Sequence, residues 1–174
     1  DLHVVCRRQR QMCIRDRSAG VPSEQAIMAD ANAWRAKLLK RKDVVHHKFI
    51  FHGRSLGSGP AVQMAAEHGA AALILEAPIP SLKPFASAYL APAFLLRDTW
   101  DNLALASQIK APAIVFHGAK DEVVPVEWGK ELAKALDATF VADAQAGHND
   151  LPSSPESHFE RIAAFLQTSG ALSR

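Results

Sequence analysis

Residues 51–61, FHGRSLGSGPA, decide the fold because they join an extended run to a helical pattern across a glycine-rich turn. Residues 48–52 are typical of a short strand, and residues 61–68 continue as a helix. Ser55 has a glycine two residues to either side. A serine in this context adopts a strained backbone that points its hydroxyl outward, and side chains at the glycine positions would collide with neighbouring backbone. The stretch makes Ser55 a candidate nucleophile.

A phosphate-binding loop is the alternative interpretation of the same glycines. Such a loop needs a Lys-Ser or Lys-Thr pair after its last glycine, to reach the phosphates and hold magnesium. Pro60 and Ala61 stand there instead, and the dinucleotide pattern G-x-G-x-x-G does not occur in the chain. The nucleophile interpretation is therefore favoured.

From residue 20 onward, short apolar runs alternate with helical patterns. This alternation predicts an α/β protein with a mostly parallel sheet flanked by helices. Residues 71–77, AALILEA, form the continuous apolar run expected of a strand covered on both faces. Ser23 is a candidate cap for a first helix. The face of that helix carries Ile27, Ala31, Trp34 and Leu38, and the other predicted elements are strands at 113–117 and 139–142 and helices at 127–136 and 156–167.

Chemistry in such a sheet lies at the carboxyl ends of the strands, so an acid and a base are expected in the loops after residues 52, 77, 117 and 142. A serine hydroxyl is a poor nucleophile at neutral pH and needs both partners. His148 follows the last strand in AGHND, and Asp121 follows the third in HGAKDEVVP, with Glu76 as the rival acid at another strand end. Six other histidines are expected to be solvated (His46, His47), packed or hydrogen-bonded locally at strand ends (His52, His117) or on helix surfaces (His68, His158), and His3 lies within residues 1–17.

Charge and cysteine usage limit the classes of partner. The chain of 174 residues carries a net charge of +2, and its first 17 residues contribute +3, so the remainder carries −1. No clustered basic face remains to indicate nucleic acid. Cys6 and Cys13 form neither a disulfide framework nor a zinc pattern, and no apolar run is long enough for a membrane helix. The sequence predicts a cytoplasmic protein without nucleic-acid partners or a membrane span, and leaves open an anchor or signal upstream.

Residues 1–17 differ in character from the rest of the chain. Their arginines and glutamines interrupt every apolar pair, so neither helical nor strand periodicity is present. The segment resembles the translation of a sequencing adapter; a disordered leader and an arginine-rich arm for nucleic acid are the alternatives. We expect residues 1–17 to be a non-native or disordered leader and residues 18–174 to be one domain.

The motifs together resemble a known family. GRSLGSGPA, LILEAPIPSL, HGAKDEVVP and AGHNDL over about residues 18–168 are similar to single-domain serine hydrolases of the α/β-hydrolase superfamily, close to the esterase and acyl-protein thioesterase-like branch. The order serine, aspartate, histidine is that of the superfamily. The resemblance implies that Ser55 is the nucleophile, Asp121 the acid and His148 the base, and that no cofactor or metal is required.

The resemblance also implies parts that do not precede residue 18 here. The family's sheet begins with further strands, and the loop after one of them supplies an oxyanion donor, leaving the backbone N–H of Leu56 as the visible donor. Residues 18–174 would then be the C-terminal two-thirds of the domain, with the first strands absent and a hydrophobic sheet edge exposed. On this expectation the 174-residue chain made alone is poorly soluble and nearly inactive.

The predicted reaction is hydrolysis of a carboxylic ester or thioester through an acyl-enzyme. Arg54, Phe85 and Tyr89 are candidate substrate-binding residues, since the aromatic side chains could line an acyl pocket or could equally pack over the sheet. The expected partner is a small-molecule or acyl ester, and the sequence does not indicate an oligomeric state. A serine peptidase of the same fold and a catalytically silent binding homologue remain alternatives.

Overall fold

The computed structural model describes residues 22–45, 48–88 and 96–172. These form an alternating series of strands and helices, which confirms the predicted α/β class. The elements in chain order are α1 (Glu24–Leu38), β1 (Ile50–Arg54), a 3₁₀ turn (Ser55–Gly57), α2 (Ser58–His68), β2 (Ala72–Glu76), α3 (Lys83–Ala88), α4 (Asn102–Ala106), β3 (Ala113–Gly118), α5 (Val126–Ala135), β4 (Thr139–Asp143) and α6 (Pro155–Thr168).

The four strands form one parallel sheet in the order β1-β2-β3-β4. Its register places Arg54 beside Glu76, Glu76 beside Phe116, and Gly118 beside Asp143. The carboxyl ends of all four strands therefore meet at one edge of the sheet. The polar loops selected from the sequence leave the sheet at this edge.

Each face of the sheet is covered by helices, as the apolar run of β2 predicts. On one face Leu73, Leu75 and Val115 pack with residues of α2, α4 and α5, including Val62 and Leu132. The alternate strand positions point to the other face because successive side chains of a strand alternate. There α6 is the covering helix, and the cluster consists of Ile74, Ile114 and Phe116 with Ile162, Phe165 and Leu166 packed against it.

Helix α1 begins where the sequence predicts, since the Ser23 side chain accepts a hydrogen bond from the N–H of Ala26. Ile27, Met28 and Ala31 pack in a further cluster that includes Trp100 and Val124. Trp34, expected on the apolar face, is instead 64% exposed, with the Lys37 ammonium 4.7 Å from its ring centroid. Only part of the predicted apolar stripe is therefore buried.

Several expectations fall on residues outside the described ranges. They are the leader at 1–17, His46, His47 and the candidate substrate residue Tyr89. Among the helices of the described ranges, none is long and apolar enough to cross a membrane.

The packing of α5 on the sheet yields a stability prediction. Leu132 is fully buried, so Leu132→Ala is expected to lower the free energy of unfolding by about 2–5 kcal/mol, through lost burial and the cavity left behind. Glu131→Ala on the exposed side of the same helix is the control and is expected to stay within about 0.5 kcal/mol of the unsubstituted protein. Urea unfolding measures both. Equal losses in the two variants would contradict the packing described here.

Candidate active site

The turn around Ser55 has the strained form that the sequence predicts. Strand β1 ends at Arg54, Ser55 opens the 3₁₀ turn, and α2 follows from Ser58. Ser55 has a φ of 52°, in the left-handed region that a residue with a Cβ rarely adopts. Such strain persists only where the surroundings fix the backbone, and it is concentrated at functional sites.

The two glycines that flank Ser55 are not equivalent. A Cβ at Gly53 would lie 2.4 Å from the carbonyl oxygen of Gly57 and 2.7 Å from the Cβ of Ala61, so no side chain fits there. A Cβ at Gly57 would meet nothing within 4 Å, and the φ of Gly57 is −64°. The expected steric requirement is therefore confirmed for Gly53 and wrong for Gly57.

Ser58 stabilises the turn through hydrogen bonds of its side chain. Its side chain is fully buried, and its Oγ donates to the carbonyl oxygen of Ser55 at 2.6 Å. The same Oγ accepts from the N–H of Ile79 at 3.2 Å and from Nδ2 of Asn102 at 3.3 Å. Sequence reasoning did not single out Ser58, because a serine in the first turn of a helix has no distinctive pattern.

The structure brings together the three side chains chosen from the sequence. Nε2 of His148 lies 3.0 Å from Oγ of Ser55, and Nδ1 of His148 lies 2.8 Å from Oδ2 of Asp121. The Asp121 side chain is fully buried, and that of His148 is 13% exposed. With the proton on Nδ1 held by the carboxylate, Nε2 can accept the proton of the serine hydroxyl.

The Asp121 carboxylate is well supplied with donors. Oδ1 accepts from the N–H groups of Val124 at 2.7 Å and Val123 at 2.9 Å, while Oδ2 faces His148. Burial raises the pKa of Asp121, but the bonds from Val124, His148 and Val123 outweigh it, and its pKa lies below the ordinary value. Asp121 is therefore an anion at neutral pH.

His117 lies beneath Asp121 and packs locally, as expected. Its Nε2 donates to the carbonyl oxygen of Val124 at 2.9 Å and lies 3.4 Å from Oδ2 of Asp121. Burial lowers the pKa of His117. In the part of the chain that the structure describes, its Nδ1 has no hydrogen-bond partner. A neutral ring with its proton on Nε2 accounts for these contacts.

The loop that carries His148 approaches the end of β3 closely. A Cβ at Gly118 would lie 2.4 Å from the carbonyl oxygen of Ala146, so the approach requires glycine. Asp143 accepts from the N–H groups of Gln145 and Ala146, and Oδ1 of Asp150 accepts from Gly147 at 2.7 Å. These carboxylates shape the loop by accepting bonds from its backbone N–H groups.

Glu76, the rival acid, does not contact His148. Its Oε1 accepts from Nε2 of His52 and from Nε2 of His158, each at 2.9 Å, and its side chain is 9% exposed. Burial raises the pKa of Glu76, yet the bonds from His52 and His158 outweigh it and its pKa is lowered.

The expectation of a surface position for His158 was wrong, because the side chain is 5% exposed. The signal was present in α6, since Ile162 and Phe165 lie four and seven residues further on the same buried face.

The remaining candidates lie in different surroundings. Nη2 of Arg54 donates to the carbonyl oxygen of His148 at 2.7 Å. Phe85 packs edge-on against the ring of Trp128, with centroids 5.0 Å apart. Leu56 follows Ser55 in the turn and is 49% exposed. Within the described ranges, no group of three or more His, Cys, Asp or Glu side chains is arranged to hold a metal ion.

A parallel sheet that brings serine, aspartate and histidine together at its carboxyl edge, in that chain order, defines the α/β-hydrolase class of folds. The sequence model of the family described as TAP-like protein matches residues 96–172, which include Asp121 and His148. The chain belongs to the α/β-hydrolase superfamily.

Curated relatives agree with this assignment. The chain is 33% identical over 136 residues to an uncharacterized protein of Mycobacterium tuberculosis, covering 75% of this chain and 48% of that protein. It is 30% identical over 153 residues to alpha/beta hydrolase domain-containing protein 17B of Xenopus laevis, covering 86% and 52%. Protein 17C of Homo sapiens is 30% identical over 154 residues, covering 86% and 45%. The chain spans about half the length of the curated relatives it matches.

Solved structures share the fold at low sequence identity. The Pyrococcus furiosus esterase Pf2001 superposes with a TM-score of 0.67 at 18% identity, covering 87% of this chain and 64% of that one. Acylaminoacyl peptidase of Pyrococcus horikoshii superposes with a TM-score of 0.65 at 14% identity, covering 81% and 27%. These likenesses concern the fold.

The unequal glycines give a paired prediction. Gly53→Ala is expected to lower the free energy of unfolding by about 1–3 kcal/mol, because its Cβ meets backbone and a neighbouring Cβ. Gly57→Ala is the matched control and is expected to leave stability unchanged or slightly raised, since it adds a methyl group in open space at a helical φ. Urea unfolding of both variants measures the difference, and an equal cost at the two positions would refute it.

The lowered pKa of Glu76 gives a pH prediction. Because its pKa is lower in the folded than in the unfolded protein, its contribution to stability is present above the unfolded value and is lost as pH falls through the folded value. The drop in unfolding free energy between pH 7 and pH 3 should be smaller in Glu76→Gln than in the unsubstituted protein. Glu160→Gln, at an exposed position of α6, is the control. An unchanged drop in Glu76→Gln would contradict the prediction.

Proposed function

We propose that this protein is a serine hydrolase that cleaves a carboxylic ester or thioester through an acyl-enzyme on Ser55. The observation that supports it is the continuous contact of Ser55 Oγ, His148 and Asp121 at 3.0 Å and 2.8 Å. A nucleophile, a base and an orienting acid in this relation form the constellation that acyl transfer requires.

The first half of the reaction forms the acyl-enzyme. His148 Nε2 takes the proton of Ser55 as its oxygen bonds to the carbonyl carbon, and Asp121 stabilises the resulting imidazolium. The tetrahedral intermediate then expels the alcohol or thiol, which takes the proton from His148. In the second half, His148 removes a proton from water, the hydroxide attacks the acyl carbon, and Ser55 leaves with the proton while the carboxylic acid is released.

Leu56 supplies one donor to the oxyanion in this proposal. Its backbone N–H lies directly after the nucleophile, at the start of the turn that leads into α2. In such turns the N–H after the serine faces the developing negative charge. Loss of one oxyanion donor typically costs about 10²–10³ in turnover.

Exposed apolar side chains beside the proposed machinery favour an acyl group over a charged one. Leu56 adjoins Ser55 and is 49% exposed, and Val123, two residues after Asp121, is 52% exposed. Large apolar side chains left in water next to a polar site often contact the substrate. Phe85 packs against the apolar cluster that contains Val124, the third residue after Asp121. In this proposal Phe85 is a candidate contact for the acyl group.

The proposal is tested by fluorophosphonate labelling of the full-length protein. Ser55→Ala and His148→Ala are expected to abolish labelling, because they remove the nucleophile and the base. Asp121→Asn is expected to slow it by about 10³–10⁴-fold, since the imidazole loses its orienting charge. Ser107→Ala, at an exposed position after α4, is the control and should label normally.

The outcome of this experiment separates the proposal from its rivals. Labelling that persists in Ser55→Ala, or no labelling of folded protein, would refute the proposal, and the latter would favour a binding protein. A panel of matched p-nitrophenyl esters and anilides distinguishes an esterase from a peptidase, because an amine leaving group depends more on protonation by His148. Cleavage of the anilides at rates comparable to the esters would favour the peptidase.

A further inference from the structure

The side chain of Arg54, the residue before the proposed nucleophile, is hydrogen-bonded to the backbone of the proposed base. Arg54 directly precedes Ser55, and its Nη2 donates to the carbonyl oxygen of His148 at 2.7 Å, across 94 positions in the chain. A bond from a charged donor to a carbonyl is stronger than one between neutral groups. The bond therefore restrains the His148 backbone relative to the end of β1, where Ser55 begins the turn.

This bond restrains the position of the His148 backbone, which the contacts of its ring do not determine. Asp121 and Ser55 orient the His148 ring, but the residue lies in a loop outside the helices and strands. The loop bonds to itself, as in Gly147 N–H to Asp150, and to the loop after β3, where the N–H of Lys120 donates to the carbonyl oxygen of Ala146 at 3.0 Å. The Arg54 bond adds a connection to β1, at the carbonyl of His148 itself.

Glu76 lies beside Arg54 on the neighbouring strand. The two residues are register partners on neighbouring strands, and Nη1 of Arg54 lies 4.0 Å from Oε2 of Glu76. Because His52 and His158 both bind Oε1, Oε2 remains to face the guanidinium. Against the effect of burial, His52 and His158 are the groups that lower the pKa of this carboxyl, and at 4.0 Å the carboxylate attracts the guanidinium by charge without a direct hydrogen bond.

A role for Arg54 in binding an anionic substrate is the rival interpretation. Its side chain is 40% exposed, so a ligand could reach it. However, Nη2 is engaged by the His148 carbonyl and Nη1 faces Glu76. The orientation of the guanidinium toward protein groups favours positioning over substrate binding.

We propose that Arg54 is a positioning residue for His148, and that Glu76 acts by holding Arg54. This inference rests on the proposed hydrolase function, in which the separation of His148 and Ser55 limits proton transfer. A displacement of about 1 Å in such a pair can cost about 10²-fold in rate.

The test compares Arg54→Met, Arg54→Lys, Glu76→Gln and the double variant Arg54→Met/Glu76→Gln in the full-length protein. The readouts are the rate of fluorophosphonate labelling and the kcat and KM for p-nitrophenyl butyrate, a neutral ester with no anionic group for Arg54 to bind. Arg41→Met is the matched control, because Arg41 is 60% exposed and its partner Asp43 lies on the same loop. Thermal unfolding establishes that each variant is folded.

Arg54→Met is expected to slow labelling and lower kcat by about 10–100-fold with KM little changed, and Arg54→Lys to recover part of the loss. Glu76→Gln should cause a smaller loss. The double variant should lose no more than Arg54→Met alone, because Glu76 acts through Arg54.

Native labelling and kcat in folded Arg54→Met, or a loss confined to KM, would overturn the inference. Should Arg54→Met not fold, a native labelling rate in folded Arg54→Ala, which also lacks a donor for the His148 carbonyl, would overturn it equally. A double variant that loses the product of the two single losses would refute the role given to Glu76. Failure of the hydrolase proposal itself is recognised separately, by labelling that persists in Ser55→Ala.

Discussion

The parallel arrangement of the four strands is the constraint on which the site depends. Parallel strands deliver every carboxyl end to one edge, and the register sets Arg54 beside Glu76 and Gly118 beside Asp143. Residues as far apart as Ser55 and His148, 93 positions along the chain, therefore come within hydrogen-bond distance. The helices make this possible indirectly, since they bury both faces of β2 and β3 and so hold the strand ends in register.

Backbone strain at Ser55 is held by its surroundings. A residue with a Cβ at positive φ costs about 1–3 kcal/mol, and that cost has to be offset elsewhere. Close packing at Gly53 and the buried hydroxyl of Ser58 leave the turn little room to relax. The contacts that hold Ser55 at positive φ also keep its hydroxyl directed toward His148.

Features with a local pattern were predictable from the sequence, and features that depend on facing surfaces were not. The α/β alternation, the strands around residues 71–77 and 113–117, and the strained turn follow from periodicity and glycine spacing. The steric difference between Gly53 and Gly57 depends on how α2 crosses β1, which spacing alone does not specify. The burial of His158 could have been predicted from its spacing to Ile162, but its bond to Glu76 requires the position of α6 against the sheet.

Asp121 and Glu76 are buried carboxylates at neighbouring strand ends, and they bond to different partners. Asp121 keeps Oδ2 toward His148 because the N–H groups of its own loop occupy Oδ1. Glu76 has its oxygens directed to β1 and α6. His158, its partner on α6, also packs its ring 4.3 Å from that of Phe116 in β3. The apolar packing of α6 on the sheet thus fixes a donor to Glu76, and Glu76 lies beside the arginine that bonds to the His148 backbone. Core packing and the geometry of the site are connected through this one carboxylate.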